Sequence, residues 1–309
     1  MKHIPVMLEE AIAYLNIKAD GVYVDCTLGG GGHAEAVLSR LTTGRLIAFD
    51  QDPFAVMKAR ERLQPYADKL TVVEANFAEL KVALHARGIE QVDGVLYDLG
   101  VSSFHFDDPA RGFSYHYDAP LDMRMDTRRQ DDARSLVNTA SEQDLRHILY
   151  RYGEERFAPR IAAEIVKTRQ VKPIETTFDL VAVIKKALPQ KVLSKVGHPA
   201  KQTFQALRIA LNDELHVFES SLDQAFDMLA PGGRIVVISF HSLEDRIAKQ
   251  RFKDRSTVNH PKELLTMPTT TPDFEILHKK VIRPTEQELA VNPRAKSAKL
   301  RAICKVTDQ

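Results

Sequence analysis

Cysteine is scarce in this chain of 309 residues, with two, Cys26 and Cys304, far apart. That excludes a disulfide framework or a cysteine-rich metal centre, and two reduced thiols in a cytoplasmic protein are the simpler reading. Long apolar runs are missing, and no signal-peptide pattern opens the sequence, so neither membrane insertion nor export is expected. An excess of one charge is missing too, since 43 Lys and Arg face 42 Asp and Glu. Any polyanionic partner must therefore be met by local basic surface. The histidines show no spacing that gathers a metal, and acidic pairs such as Asp107-Asp108 and Asp131-Asp132 read as caps of turns and helices. What remains is 44% hydrophobic and 28% charged, the composition of a globular protein with one large or two modest domains.

Glycine, by contrast, is concentrated. Four in a row, Gly29 to Gly32, follow the apolar run that starts at Val22 and precede a helical pattern ending near Leu41. Strand, glycine turn and helix let backbone approach a ligand where a Cβ would obstruct it. Around this turn the sequence alternates. A leading amphipathic helix (HIPVMLEEAIAYLNI) comes first, then strands ending at Asp25 and Asp50, a third within 70–77 and a fourth running from Val92 into DLGVSS, with helices between. Such alternation predicts βαβ units and a parallel sheet. It stops at Phe104. A turn-rich, aromatic stretch leads into four helical segments, SEQDLRHILYRYG, RFAPRIAAEIVKTRQ, TTFDLVAVIKKALP and HPAKQTFQALRIALNDEL, before Pro231-Gly232-Gly233 introduces the buried strand RIVVISF. The gap is too long for one crossover, so a helical subdomain is inserted at 107–212, within a domain made of 1–106 and 213–309. Two strand-like runs, 276–282 and 298–306, are expected to pair antiparallel at the sheet edge.

The ligand of the turn is narrowed by its surroundings. Gly29, Gly31 and Ala34 satisfy the dinucleotide pattern, with Asp50 placed to accept from ribose hydroxyls, which leaves a nicotinamide-dependent oxidoreductase open. A P-loop is excluded because no Lys-Ser/Thr follows. Asp25, just before the glycines, could hold an ammonium group that a nicotinamide cofactor lacks. With the Pro-Gly-Gly turn and the terminal edge pair, this combination resembles the class I methyltransferase fold, an α/β Rossmann-like sheet that binds S-adenosylmethionine.

Longer motifs sharpen the resemblance. HIPVMLEEA, DLGVSS (98–103), RGFSY (111–115), PLDMRMD (120–126), FQALRIALNDEL (204–215), SFHSLEDR (239–246) and NPRAKSAKLR (292–301) occur in order along nearly the whole chain. Together they resemble the bacterial ribosomal RNA small subunit methyltransferase H, or MraW, family. The resemblance implies N4-methylation of a cytidine in the decoding region of 16S rRNA, within the small subunit or its precursor, using S-adenosylmethionine. Matched to the family's cofactor motif, Gly31, Gly32, His33, Asp50, Phe77 and Asp98 are implied cofactor contacts, beside Asp25. This chain has Phe104-His105 where the family carries Pro-Gln, and His105 is the expected substitute contact because imidazole also donates and accepts.

Methylating an exocyclic amine requires positioning and an acceptor for the N4 proton. Asp98, with Ser102 and Ser103 beside it, is the candidate, and His241 is a second candidate for holding the base or relaying a proton. C5 methylation would need a cysteine nucleophile, which the fourth-strand loop lacks; Cys26 reads as a buried structural thiol. RNA contacts are expected from Arg124, Arg294, Lys296, Lys299 and Arg301, and from Phe113 and Tyr115 near Arg111, which could stack an unpaired base. DNA is not expected as a substrate. DNA N4 enzymes and ribose 2′-O enzymes are disfavoured by the missing Pro-Pro-aromatic loop and the missing Lys-centred tetrad. A non-catalytic assembly factor would tolerate a degraded turn, and this one is intact.

Overall fold

Seven strands make one sheet in the order β3-β2-β1-β4-β5-β7-β6. They are β1 (Val22–Asp25), β2 (Arg45–Phe49), β3 (Leu70–Val73), β4 (Val92–Asp98), β5 (Leu229–Ser239), β6 (Phe274–Ile276) and β7 (Lys299–Lys305). The computed structural model describes residues 4–194, 197–257 and 272–307. β1 to β5 are parallel, whereas β7 runs antiparallel to both β5 and β6. The central strands read as continuous apolar runs because both faces are covered. In β4, Val95 and Tyr97 enter one core layer with Phe218, Leu222 and Phe226, while Leu96 enters the other with Leu15, Leu38 and Ile238. No described helix is long and apolar enough to cross a membrane.

Two local expectations change. Pro231-Gly232-Gly233 lies inside β5 as an irregularity rather than ahead of it: pairing with β4 jumps from Val92–Leu229 to Gly94–Arg234. Gly232 has φ 77°, and a Cβ on Gly233 would stand 2.8 Å from the Ala230 carbonyl oxygen, so the irregularity requires glycine. The run 276–282 is not a strand beyond Ile276. Polar, exposed His278, Lys279 and Lys280 interrupt it, and only Ile282 returns, as a bridge to Leu300.

The chain divides into two units, Met1–Gly100 with Val217–Gln309, and Val101–His216. The second unit therefore begins earlier and ends later than the 107–212 expected. It is helical: Ala133–Thr139, Glu142–Gly153, Ala158–Arg169, Thr177–Ala187, Gln190–Leu193 and Lys201–Asn212 pack around Leu145, Leu149, Ile161, Ile165, Leu180 and Ile184. The expected stripe holds at Phe204, Leu207 and Leu211, then breaks where Asp213 turns left-handed (φ 51°), leaving Leu215 to the next helix, Glu214–Met228. Asn212 ties the end of this helix to the loop at Met123–Met125, its amide donating to the Met123 carbonyl and its carbonyl accepting from Met125 N–H.

Candidate active site

In a parallel sheet whose order reverses direction between β1 and β4, a crevice opens beyond the carboxyl ends of those two strands. Asp25 ends β1 and Asp98 ends β4. Thr27 ties them together: its backbone N–H donates to Asp25 Oδ1 (3.0 Å), and its hydroxyl oxygen accepts from the Asp98 N–H (2.7 Å). Among the described residues, each acid keeps one enclosed oxygen without a hydrogen-bond partner, Asp25 Oδ2 and Asp98 Oδ1. Burial pushes the Asp25 carboxyl up to about 7, with Asp50 adding to the rise. Burial likewise pushes Asp98 well above the carboxylate range, reinforced by Asp25 and Glu244. Enclosed carboxylates that repel one another fit a cationic ligand.

The glycine turn lies beside them. Gly29 (φ 48°) and Gly31 (φ 75°) adopt the left-handed conformation that glycine tolerates best. Asp50, the residue after β2, accepts from Gly29 N–H (2.8 Å) and Asp52 N–H (2.9 Å), so its carboxylate holds the turn. Asp52 caps the helix Pro53–Leu63 by accepting from Phe54 N–H. Gly32 opens the helix Gly32–Leu38 with no room for a side chain, since a Cβ would fall 2.3 Å from Pro5 Cγ. His33 follows, with Nε2 at 3.0 Å from the Val6 carbonyl oxygen and Nδ1 at 3.4 Å from Asp98 Oδ2. Phe77, in the short 3₁₀ turn after β3, meets Tyr97 edge-on, ring centroids 5.9 Å apart. Beneath this floor the Tyr97 hydroxyl hydrogen-bonds Ser221 (2.8 Å), and Cys26 is fully buried beside them, its thiol pushed up by burial and so unreactive.

Beyond β5, His241 caps the helix Ser242–Arg255. Its Nδ1 accepts from Glu244 N–H (3.4 Å), and Glu244 reaches back to accept from Phe240 N–H (2.7 Å) and His241 N–H (3.2 Å). His241 Nε2 also lies 3.1 Å from Glu244 Oε1, but off the hydrogen-bond direction. The side chain thus holds the loop after β5 in a capping box.

In the first unit the strand ends bring together Asp25, Gly31, Gly32, His33, Asp50, Phe77 and Asp98. Ser102, Ser103 and His105 belong to the helical unit. There Ser102 Oγ is 3.3 Å from His105 Nδ1, and the buried His105 ring leans on Phe113 at 4.7 Å. Several expected RNA contacts carry structural duties instead. Phe113 is buried and cannot stack a base in this arrangement. Arg111 donates to the Arg124 and Met125 carbonyls, and Arg124 pairs with Asp122 at 2.7 Å. Lys299 and Arg301 converge on Asp245 at 3.1 and 2.8 Å, which lowers its pKa once burial is outweighed. Arg294 and Lys296 stay on the surface, and half-buried Tyr115 stacks on His198 at 4.3 Å. Sequence reasoning missed Thr27, Asp52, Ser221 and Glu244. Among the described residues no group of His, Cys, Asp and Glu could hold a metal ion.

Comparison with known proteins adds identity to this geometry. A model of the MraW methylase family matches residues 1–306. The ribosomal RNA small subunit methyltransferase H of Exiguobacterium sibiricum is 50% identical over 309 residues, 99% of this chain and 99% of that protein. Among solved structures, an rRNA methylase from Streptococcus thermophilus shares 12% identity over 99% of each chain at a TM-score of 0.43. A provisionally named methyltransferase from Streptococcus mutans, determined with SAH, shares 14% over 98% of this chain and 100% of its own, also at 0.43. Likeness at that level is one of outline only.

Proposed function

Because the chain belongs to the MraW methylase family, we propose that it methylates N4 of a cytidine in 16S rRNA, using S-adenosylmethionine. The observation that carries the cofactor assignment is the pair of enclosed carboxylate oxygens on Asp25 and Asp98, unpartnered among the described residues, beside a left-handed turn that favours glycine. A ligand with an ammonium and a sulfonium suits that pair, whereas a nicotinamide dinucleotide brings phosphates that it would repel. S-adenosylmethionine supplies an electrophilic methyl group on a positively charged sulfur. Gly31, Gly32, His33 and Phe77 would line the site for it, Asp25 would hold its ammonium group and Asp50 would accept from its ribose hydroxyls.

The residues of the chain then have two tasks. One is to hold the amine in line with the methyl carbon, which supplies most of the acceleration in a displacement of this kind. The other is to take a proton, because the cytosine amine is a weak nucleophile and becomes cationic as the new N–C bond forms. Asp98 accepts that proton; its backbone is fixed by Thr27, so its carboxylate has one position from which to act. His241 fixes the wall after β5. Arg294 and Lys296 supply phosphate contacts, and Tyr115 with His198 offers an aromatic surface in the helical unit. The substrate is the small ribosomal subunit or its precursor in the cytoplasm. Calorimetric titration with S-adenosylmethionine and with NADH tests the cofactor: binding of the first alone is expected, and binding of the second alone would reverse the assignment.

A further inference from the structure

The segment ahead of the first helix is strapped over the glycine turn. Met7 N–H donates to Glu288 Oε1 (2.7 Å), Asn292 Nδ2 donates to the Ile4 carbonyl (3.2 Å), and Pro5 packs on Gly32. The strap presents the Val6 carbonyl to His33, and a carbonyl oxygen can only accept, so Nε2 carries a proton. Nδ1 is therefore the nitrogen that can gain or lose one, and it faces Asp98 Oδ2 at 3.4 Å. We infer that His33 is the positioning residue that holds a proton for Asp98: on arrival of a cationic cofactor the proton shared between them settles on His33 Nδ1, and Asp98 enters the reaction as a carboxylate. The inference rests on the cofactor and acceptor proposed above.

The groups facing Asp98 explain why it needs such a partner. Asp25 approaches from β1 and Glu244 from the helix after β5, both acidic, while His33 comes from the helix after the turn. Burial, with the two acids beside it, biases Asp98 toward its protonated form in the empty site, and a carboxyl that already holds a proton cannot take one from an amine. Positive charge brought into the crevice reverses this balance. The O–H bond of Asp98 breaks and an N–H bond forms at His33 Nδ1, with no net change in protons. After methyl transfer Asp98 takes the amine proton and releases it to solvent, and the proton held on His33 Nδ1 then returns to Asp98, restoring the starting state.

The test needs no variant to begin with. In the full chain labelled with ¹⁵N-histidine, the His33 ring is assigned through its contact with Val6 and followed with S-adenosylmethionine and with S-adenosylhomocysteine, which lacks the sulfonium charge. Both ring nitrogens are expected to be protonated with the first and only Nε2 with the second. The same protonation state with both ligands would overturn the inference. His33→Gln keeps a donor for the Val6 carbonyl and removes the titratable nitrogen. Measured at saturating S-adenosylmethionine, the acidic limb of its single-turnover rate should move up by about one pH unit, about ten-fold slower below the limb. A limb that stays in place, or an equal loss at every pH, would leave His33 only a structural part. If the wild-type chain methylates no cytidine, the proposed function fails instead, and the ring measurement still decides the pairing with Asp98.

Discussion

Replacing Asp25 with Asn should make the empty protein more stable while weakening its hold on the cofactor. Asp25 is 1% exposed, and its Oδ1 already accepts from Thr27 N–H, a bond that an Asn oxygen reproduces. What Asn removes is the charge. A carboxyl raised on folding from 3.8 to about 7 binds its proton more tightly when folded, so stability falls as pH rises from about 4 to about 7 and stays low above. The difference corresponds to about 4 kcal/mol at alkaline pH, of which a variant with an imperfectly paired amide recovers roughly 2–4. Urea melts of wild type and Asp25→Asn should coincide near about pH 4 and separate by that amount near about pH 8. Cofactor binding has the opposite sign. A cation favours ionised Asp25, so the wild type should bind about ten-fold more tightly at about pH 8 than at about pH 6, and the variant should bind weakly with little pH dependence. Equal stability at alkaline pH with unchanged affinity would refute the reasoning.

Other perturbations follow from the same geometry. Thr27→Val strands the buried Asp98 N–H and should cost about 1–3 kcal/mol by denaturant melts, with turnover falling further than cofactor affinity. Gly31→Ala places a Cβ 3.2 Å from Leu63 at φ 75°, so a loss of about 1–2 kcal/mol and weaker cofactor binding by calorimetry are expected. Asp245→Asn removes the shared partner of Lys299 and Arg301. Because folding lowers the pKa of Asp245, its contribution is present above the ordinary carboxylate range and lost as pH falls through the folded value; the variant should therefore differ from wild type at neutral pH and converge with it in acid melts. Arg294→Ala with Lys296→Ala should flatten the salt dependence of RNA binding by a slope of about 1–2 in a filter-binding assay.

The sheet was readable from the sequence because its central strands are buried on both faces and so appear as unbroken apolar runs. The positions of Asp25, Asp50 and Asp98 were readable because each stands at or just after the end of such a run, with no knowledge of partners needed. Their supports were not readable. Thr27 meets Asp98 across 71 positions, and Tyr97 meets Ser221 across 124, so neither pair leaves a local pattern. Basic residues misled for the converse reason. Lys299 and Arg301 read as a polyanion surface, but they alternate on β7 with buried Leu300 and Ala302 and are drawn down to Asp245, more than 50 positions away. Phe113 sits in an aromatic, polar stretch that looked exposed and instead fills the core of the helical unit. The 276–282 run shows the limit of composition: apolar ends suggested a strand, and three polar residues between them denied it a continuous face.

The most direct measurement incubates the protein and S-adenosylmethionine with small ribosomal subunits that lack the modification, with their precursors and with naked 16S rRNA, then digests the RNA for nucleoside mass spectrometry. The account predicts N4-methylcytidine in at least one of these substrates, with Asp98→Asn abolishing it while the cofactor still binds. Methylation confined to a ring carbon or a ribose oxygen, or no methylated cytidine in any of the three, would contradict it.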